Sequence, residues 1–162
     1  MKVLTIGIYG FSEENFFESL KREGVQVLCD IRQRRGLRGK KYSFANANKL
    51  QLRLKELGIK YIHLKELAPT LEIRNIQKRK DKEKGILKRE RRELDKEFKE
   101  SYRKNVLEKI SFSEFSEMVG LKNNAIICLL CVEKLPTACH RSIVAEWIKE
   151  NAPQVEIKHI LP

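Results

Sequence analysis

The sequence predicts an α/β domain: a doubly wound, mostly parallel sheet of about five strands, with helices on both faces and a charged helical insertion between strands 3 and 4. Three observations carry that expectation. Five short runs rich in β-branched residues, at 3–8, 25–31, 59–64, 125–130 and 155–160, alternate with segments of helical periodicity. The runs at 3–8, 25–31 and 125–130 are almost wholly apolar, as strands covered on both faces of a parallel sheet must be. A chain of 162 residues suits one core, so residues 1–162 are read as a single domain with residues 72–110 as its insertion.

Each element has its own signals. After the first run the chain turns through Gly7 and Gly10, with Asp30 some twenty residues on. A dinucleotide-binding turn has a third glycine and another spacing, so two glycines in a tight strand-to-helix turn are sufficient explanation. Ser12 can cap a first helix whose Phe16, Phe17 and Leu20 share a face, and Gly24 stops it. The second helix carries Ala47, Leu50, Leu54 and Leu57 at helical spacing and ends at Gly58. The last helix follows Pro136 with Thr137 as its expected N-cap, buries Ile143, Val144, Trp147 and Ile148, and ends at Asn151-Ala152-Pro153.

The insertion is different in composition. Residues 72–109 hold fifteen Lys/Arg against nine Asp/Glu. After Gly85 the apolar residues Leu87, Leu94, Phe98, Tyr102 and Val106 recur at sevens and fours, which predicts one amphipathic helix with a solvated charged face.

Over the whole chain the formal net charge is +12, with 35 % charged residues, which favours an anionic small molecule or nucleic acid as partner. Lys/Glu-rich surfaces also occur in hyperthermophile proteins, so part of this charge can serve stability alone. The N-terminus has no secretory leader pattern, and no apolar stretch approaches the ~18 residues of a membrane span. The expectation is a cytoplasmic protein without a membrane partner, in which Cys29, Cys128, Cys131 and Cys139 stay reduced.

Two stretches concentrate chemistry. In "DIRQRRGLRGKKYSF", Asp30 and Arg32 end the second strand, and Arg32, Arg34, Arg35, Arg38, Lys40 and Lys41 give six cations in ten residues with no acid. Tyr42 and Phe44 follow, a combination that stacks bases while arginines hold phosphates. A basic surface loop backed by two core aromatics is the alternative.

In "LLCVEKLPTACHR" an oily strand ends and Cys131, Glu133, Cys139, His140 and Arg141 follow within eleven residues. This loop falls at the carboxyl edge of the sheet, where open α/β folds bind ligands. Cys139 and His140 then occupy a first helical turn, whose free N–H groups favour a thiolate or bound anion. Arg141 adds a fixed cation. The alternative reading makes the cysteines small buried hydrophobes and Arg141 a structural partner of Glu133.

The spacing matches no phosphatase loop, which needs an arginine six residues after its cysteine; Thr137 and Ala145 stand there. No metal set is assigned either. Cys128 and Cys131 form C-x-x-C within a strand, where residues three apart point to opposite faces, and no second pair exists at zinc-site spacing. Convergence of Cys131, Cys139 and His140 through the loop stays open. No motif specifies a cofactor.

Together with "TIGIYGF", "YSFAN" and "KELAPTLEIRNIQ", these stretches resemble, in order, blocks of the uncharacterised family catalogued as domain of unknown function 488. Cys-x-Glu followed by Cys-His-Arg is the most specific element, and Asp-x-Arg at the second strand the next. Gln33-Arg34-Arg35-Gly36 stands where a common family version has a proline, which resembles an arginine-glycine-loop subgroup. The resemblance implies an α/β fold with Asp30, Arg32, Cys131, Glu133, Cys139, His140 and Arg141 at motif positions.

The resulting expectation is an anion site for a nucleotide, a phosphorylated metabolite or a nucleic-acid end. Arg32 and Arg141 are its clamps, with Asp30, Arg34, Arg35, Tyr9, Gly7 and Gly10 beside them. Cys139 or Cys131 is the nucleophile or redox thiol, and Glu133 with His140 handles protons. The rivals are a non-catalytic basic nucleic-acid-binding module and a thiol redox or metal sensor.

Overall fold

The computed structural model of the chain describes residues 1–121 and 124–162. Five strands, β1 (Lys2–Gly7), β2 (Val27–Asp30), β3 (Lys60–His63), β4 (Ile126–Cys131) and β5 (Glu156–Ile160), form one sheet in the order β3-β2-β4-β1-β5. Every pairing is parallel, so all five carboxyl ends lie along one edge. The expected α/β class and strand number hold.

Helices cover both faces. On one, α1 (Glu13–Arg22) and α2 (Ala47–Glu56) bury Phe16, Leu20, Leu50 and Leu54 against Leu4, Ile6, Leu28 and Leu130. On the other, α3 (Leu71–Glu83), α4 (Lys96–Asn105), α5 (Phe112–Val119) and α6 (His140–Asn151) pack on Val3, Cys29, Ile127 and Leu129. Alternation along β4 therefore sends Cys128 to the first core and Cys131 to the second.

The charged helical insertion expected between strands 3 and 4 is present, and the amphipathic helix expected after Gly85 starts later within it. Gly85, at φ +64°, ends α3, and α4 begins only after Asp95 caps it by accepting from the Glu97 N–H at 2.9 Å. Leu94, Phe98, Tyr102 and Val106 do form a buried stripe, whereas Leu87 is 54 % exposed. Between that insertion and β4, a further helix, α5, is capped by Ser111 and closed by left-handed Gly120. Its signals were present in the sequence as Ser111-x-x-Glu114 and a terminal glycine.

Thr137 is not the N-cap of the last helix. Residues Pro136–Ala138 make a single 3₁₀ turn, and Cys139 takes the cap position with extended backbone. Thr137 instead donates its hydroxyl to the Arg92 carbonyl at 2.6 Å and accepts the Leu94 N–H on its own carbonyl at 3.0 Å. The insertion is thereby pinned to the cysteine loop.

Candidate functional site

The loop from Val132 to Cys139 is held from beneath. Val132 accepts from the N–H groups of Ile8 and Tyr9, both at 3.0 Å. Arg141, fully buried, donates to the backbone carbonyls of Glu133 and Lys134 and, through Nε, to Thr5 Oγ1 at 3.4 Å. The loop lies so close to β1 that a Cβ on Gly7 would stand 1.9 Å from the Glu133 carbonyl oxygen. Gly7 is thus required by a backbone-to-backbone approach.

On this platform three groups converge. The Sγ atoms of Cys131 and Cys139 and a ring nitrogen of His140 lie within 4.8 Å of one another, and all three residues are buried. His140 Nδ1 is 3.8 Å from Cys131 Sγ and 4.0 Å from Cys139 Sγ, while Nε2 meets the Ile31 carbonyl at 3.1 Å. The ring is fixed from the side by Tyr102, at 5.5 Å between centroids.

The two thiols are driven apart in acidity. Burial pushes Cys139 up, but Cys131, His140 and Arg141 together outweigh it and hold its thiol well below the usual range. Cys131, as donor to Cys139 and buried, is pushed well above it. Glu133 is raised, first by burial, against the pull of Lys88 at 3.4 Å.

At the end of β2, Asp30 is completely buried and accepts from Arg32 Nε at 2.8 Å, Arg32 Nη2 at 2.7 Å and the Tyr61 hydroxyl at 2.7 Å. His63 Nε2 meets the Arg32 carbonyl at 2.9 Å. Asp30 thus fixes where the Arg32 guanidinium points, and His63 meets its backbone. That guanidinium has one nitrogen left over: Nη1 is buried without a partner.

A crevice of about 620 Å³ opens above these groups, between the sheet edge and the insertion. Arg32, Cys131, Glu133, Cys139 and His140 form its floor, with Tyr9 and Arg34 at the side. The insertion supplies Arg74, Lys78, Asp81, Lys88 and Arg91. Asp81 takes both Arg91 Nε at 3.0 Å and Nη2 at 2.6 Å, and Gln77 at 2.7 Å, so Arg91 is neutralised in place. Arg74 has no such acid, and its Nε is the second buried unpartnered nitrogen among the described residues.

A family model described as domain of unknown function DUF488 matches residues 12–148. The chain belongs to the DUF488 family. No curated protein and no solved structure matches it. The DUF488 match spans the whole cysteine loop, Arg32 and the insertion wall, leaving β1 with the turn after it, the end of α6 and β5 outside it.

Of the residues singled out in this DUF488 sequence, Tyr9, Arg32, Arg34, Cys131, Glu133, Cys139 and His140 line the crevice. Arg141 does not. Its donors serve the loop backbone, and Glu133 meets it through the main chain, not the carboxylate. Asp30 is covered by Arg32, Arg35 contacts the Tyr61 hydroxyl at 3.4 Å, and Gly7 and Gly10 shape the first turn. Phe44 is buried among Phe16 and Phe17 and Tyr42 packs on Tyr9 at 5.1 Å, so Phe44 offers no face to a base. Arg74, Lys88 and Arg91 escaped the sequence reading because one charged residue in a charged stretch looks like another. The block "KELAPTLEIRNIQ" did contain Arg74.

Proposed function

We propose that this DUF488 chain binds an anionic ligand in the crevice, a nucleotide, a phosphorylated metabolite or a nucleic-acid end, and that Cys131, Cys139 and His140 supply the chemistry at its floor. One observation carries the reading. Arg32 Nη1, from the sheet edge, and Arg74 Nε, from the insertion, are the buried polar side-chain atoms left without a partner among the described residues, and both residues line the crevice. Burying a guanidinium donor unpaired is costly, and an anion between the walls would remove that cost.

The test is thermal melting with inorganic phosphate, nucleotides and short oligonucleotides, on the native chain and on Arg74→Gln. A ligand at a hundred times its dissociation constant stabilises by about 2.7 kcal/mol. Arg74→Gln is expected to lose most of that gain while its unliganded melting temperature stays within about two degrees, since no protein acid depends on Arg74. A panel without any stabilising anion would overturn the reading.

A second reading, the non-catalytic nucleic-acid module, is favoured by the loop that follows Arg32. Arg34, Arg38, Lys40 and Lys41 are exposed, and no ion pair engages them among the described residues. Arg34 lies at the crevice, so a nucleic-acid end can touch both surfaces.

A further inference from the structure

We infer that Cys131, Cys139 and His140 form a three-ligand site for a zinc-class divalent cation, with its fourth position open to the crevice. The inference stands apart from anion binding, because it concerns the floor of the crevice alone.

Geometry is the first support. Bond lengths of ~2.3 Å to sulfur and ~2.0–2.1 Å to nitrogen set ligand atoms roughly 3.5–3.8 Å apart around a tetrahedral zinc. His140 Nδ1 stands 3.8 and 4.0 Å from the two sulfurs, within a few tenths of an ångström of that spacing. All three donors lie within 4.8 Å of one another, close enough to share one ion.

The outer shell is the second. A metal-binding imidazole characteristically donates its other nitrogen to a carbonyl or carboxylate. His140 has this arrangement, with Nε2 facing the Ile31 carbonyl at 3.1 Å and Nδ1 left for the ion. Cys139 holds the N-cap position of α6, yet its side chain makes no capping bond, so its sulfur is free to turn to the cluster.

Charge and softness choose the metal. Two thiolates and a neutral imidazole cancel a divalent cation, which a buried site tolerates better than a lone charge. Two sulfurs with one nitrogen select zinc over the hard oxygen-seeking ions. Three protein ligands with a fourth position on a cavity is the pattern of reactive, not structural, zinc. All three residues line the crevice that holds Arg32 and Arg74, so the open position can take water or an oxygen of an anion held there. Cys139 then acts as a ligand, and the cation becomes the group that meets the anion.

The experiment uses the full chain, stripped with a chelator under reducing conditions and titrated with Co²⁺. The expected result is saturation at one equivalent, with thiolate-to-cobalt absorption in the near ultraviolet and the intense visible bands of tetrahedral cobalt, both displaced by one equivalent of Zn²⁺. Cys131→Ser and Cys139→Ser should each weaken binding at least tenfold, whereas Cys128→Ser, on the opposite face of the sheet, should not. Should the serine variants fail to fold, the native chain still decides: Zn²⁺ must raise its melting temperature and protect two of its four thiols from alkylation. Absence of thiolate-to-cobalt absorption, or no thiol protection by Zn²⁺, overturns the site. Phosphate added to the cobalt form should shift the visible bands. A cobalt spectrum that phosphate leaves unmoved, together with a flat anion panel, would remove the anion reading and keep the metal.

Discussion

The Nε2 atom of His140 stands 3.1 Å from the carbonyl oxygen of Ile31, the residue that follows β2. A carbonyl only accepts, so Nε2 carries a ring proton, and Nδ1 is the nitrogen that faces the two sulfurs. One backbone oxygen thus orients the ring of a cluster whose members lie about a hundred residues away in sequence.

Reactivity follows from the cluster. In metal-free protein Cys139 is held well below the usual thiol range, whereas burial pushes Cys29 up to about 12. Iodoacetamide should alkylate Cys139 at least tenfold faster than Cys29 near neutral pH, since one pKa unit is tenfold in thiolate. Cys131 should be slower than Cys139, being pushed the other way. Peptide mapping after timed alkylation measures all three, and equal rates for Cys139 and Cys29 would remove the activated thiol.

The opposite assignment applies to Arg141. Lysine in its place keeps the charge but cannot reach Thr5 Oγ1 and two carbonyls at once. Arg141→Lys should lower the unliganded stability by roughly 2–4 kcal/mol, the cost of leaving buried hydrogen-bonding groups unpaired. Gly7→Ala should cost about 3 kcal/mol or more, because the new methyl overlaps the Glu133 carbonyl. Denaturant titrations check both; an Arg141→Lys chain of native stability would return the arginine to the crevice as a ligand clamp.

These contrasts show what was legible in the sequence. The apolar strands and their glycine-bounded helices specified the sheet, because burial on both faces leaves a continuous hydrophobic record. The motif at 131–141 was visible as chemistry, but its inner division was not. Whether an arginine beside a loop points into a cavity or back under the loop depends on how close the backbones come. Here that closeness comes from Gly7, more than a hundred residues away. The insertion was legible as amphipathic through Leu94, Phe98 and Tyr102, yet its charged composition concealed Arg74, on α3, among many other charged residues.

The exposed loop gives a separate test of nucleic-acid binding. Each phosphate neutralised by a cation releases counterions, so affinity for a short oligonucleotide should fall steeply with salt. Replacing Arg34, Arg38, Lys40 and Lys41 by glutamine should flatten the slope by about one per lost phosphate contact. Stability should change little, since all four side chains are exposed. Fluorescence anisotropy at several salt concentrations measures the slope, and an undetectable interaction at low salt would leave the loop without this role.

The platform beneath the site also carries a pH signature. Arg141 Nε donates to Thr5 Oγ1, and Thr5 Oγ1 lies 2.8 Å from His159 Nδ1, so the Thr5 hydroxyl can donate onward to a neutral imidazole. Burial first, and Arg141 second, lower His159 from its ordinary 6.5, with Glu146 opposing. The folded chain therefore takes up this proton less readily than the unfolded chain. Stability from the neutral ring is complete above the unfolded value and declines as pH falls from there toward the lower folded value. Glu133, raised from its ordinary 4.5, works in the opposite sense at more acid pH. The melting temperature should consequently fall between about pH 7 and about pH 5.5, and His159→Gln should make that decline shallower. The ring is partly open to water, so the difference should be small and best read as a difference of slopes between the two proteins. Identical slopes would mean that protonating His159 leaves the Thr5–Arg141 contacts undisturbed.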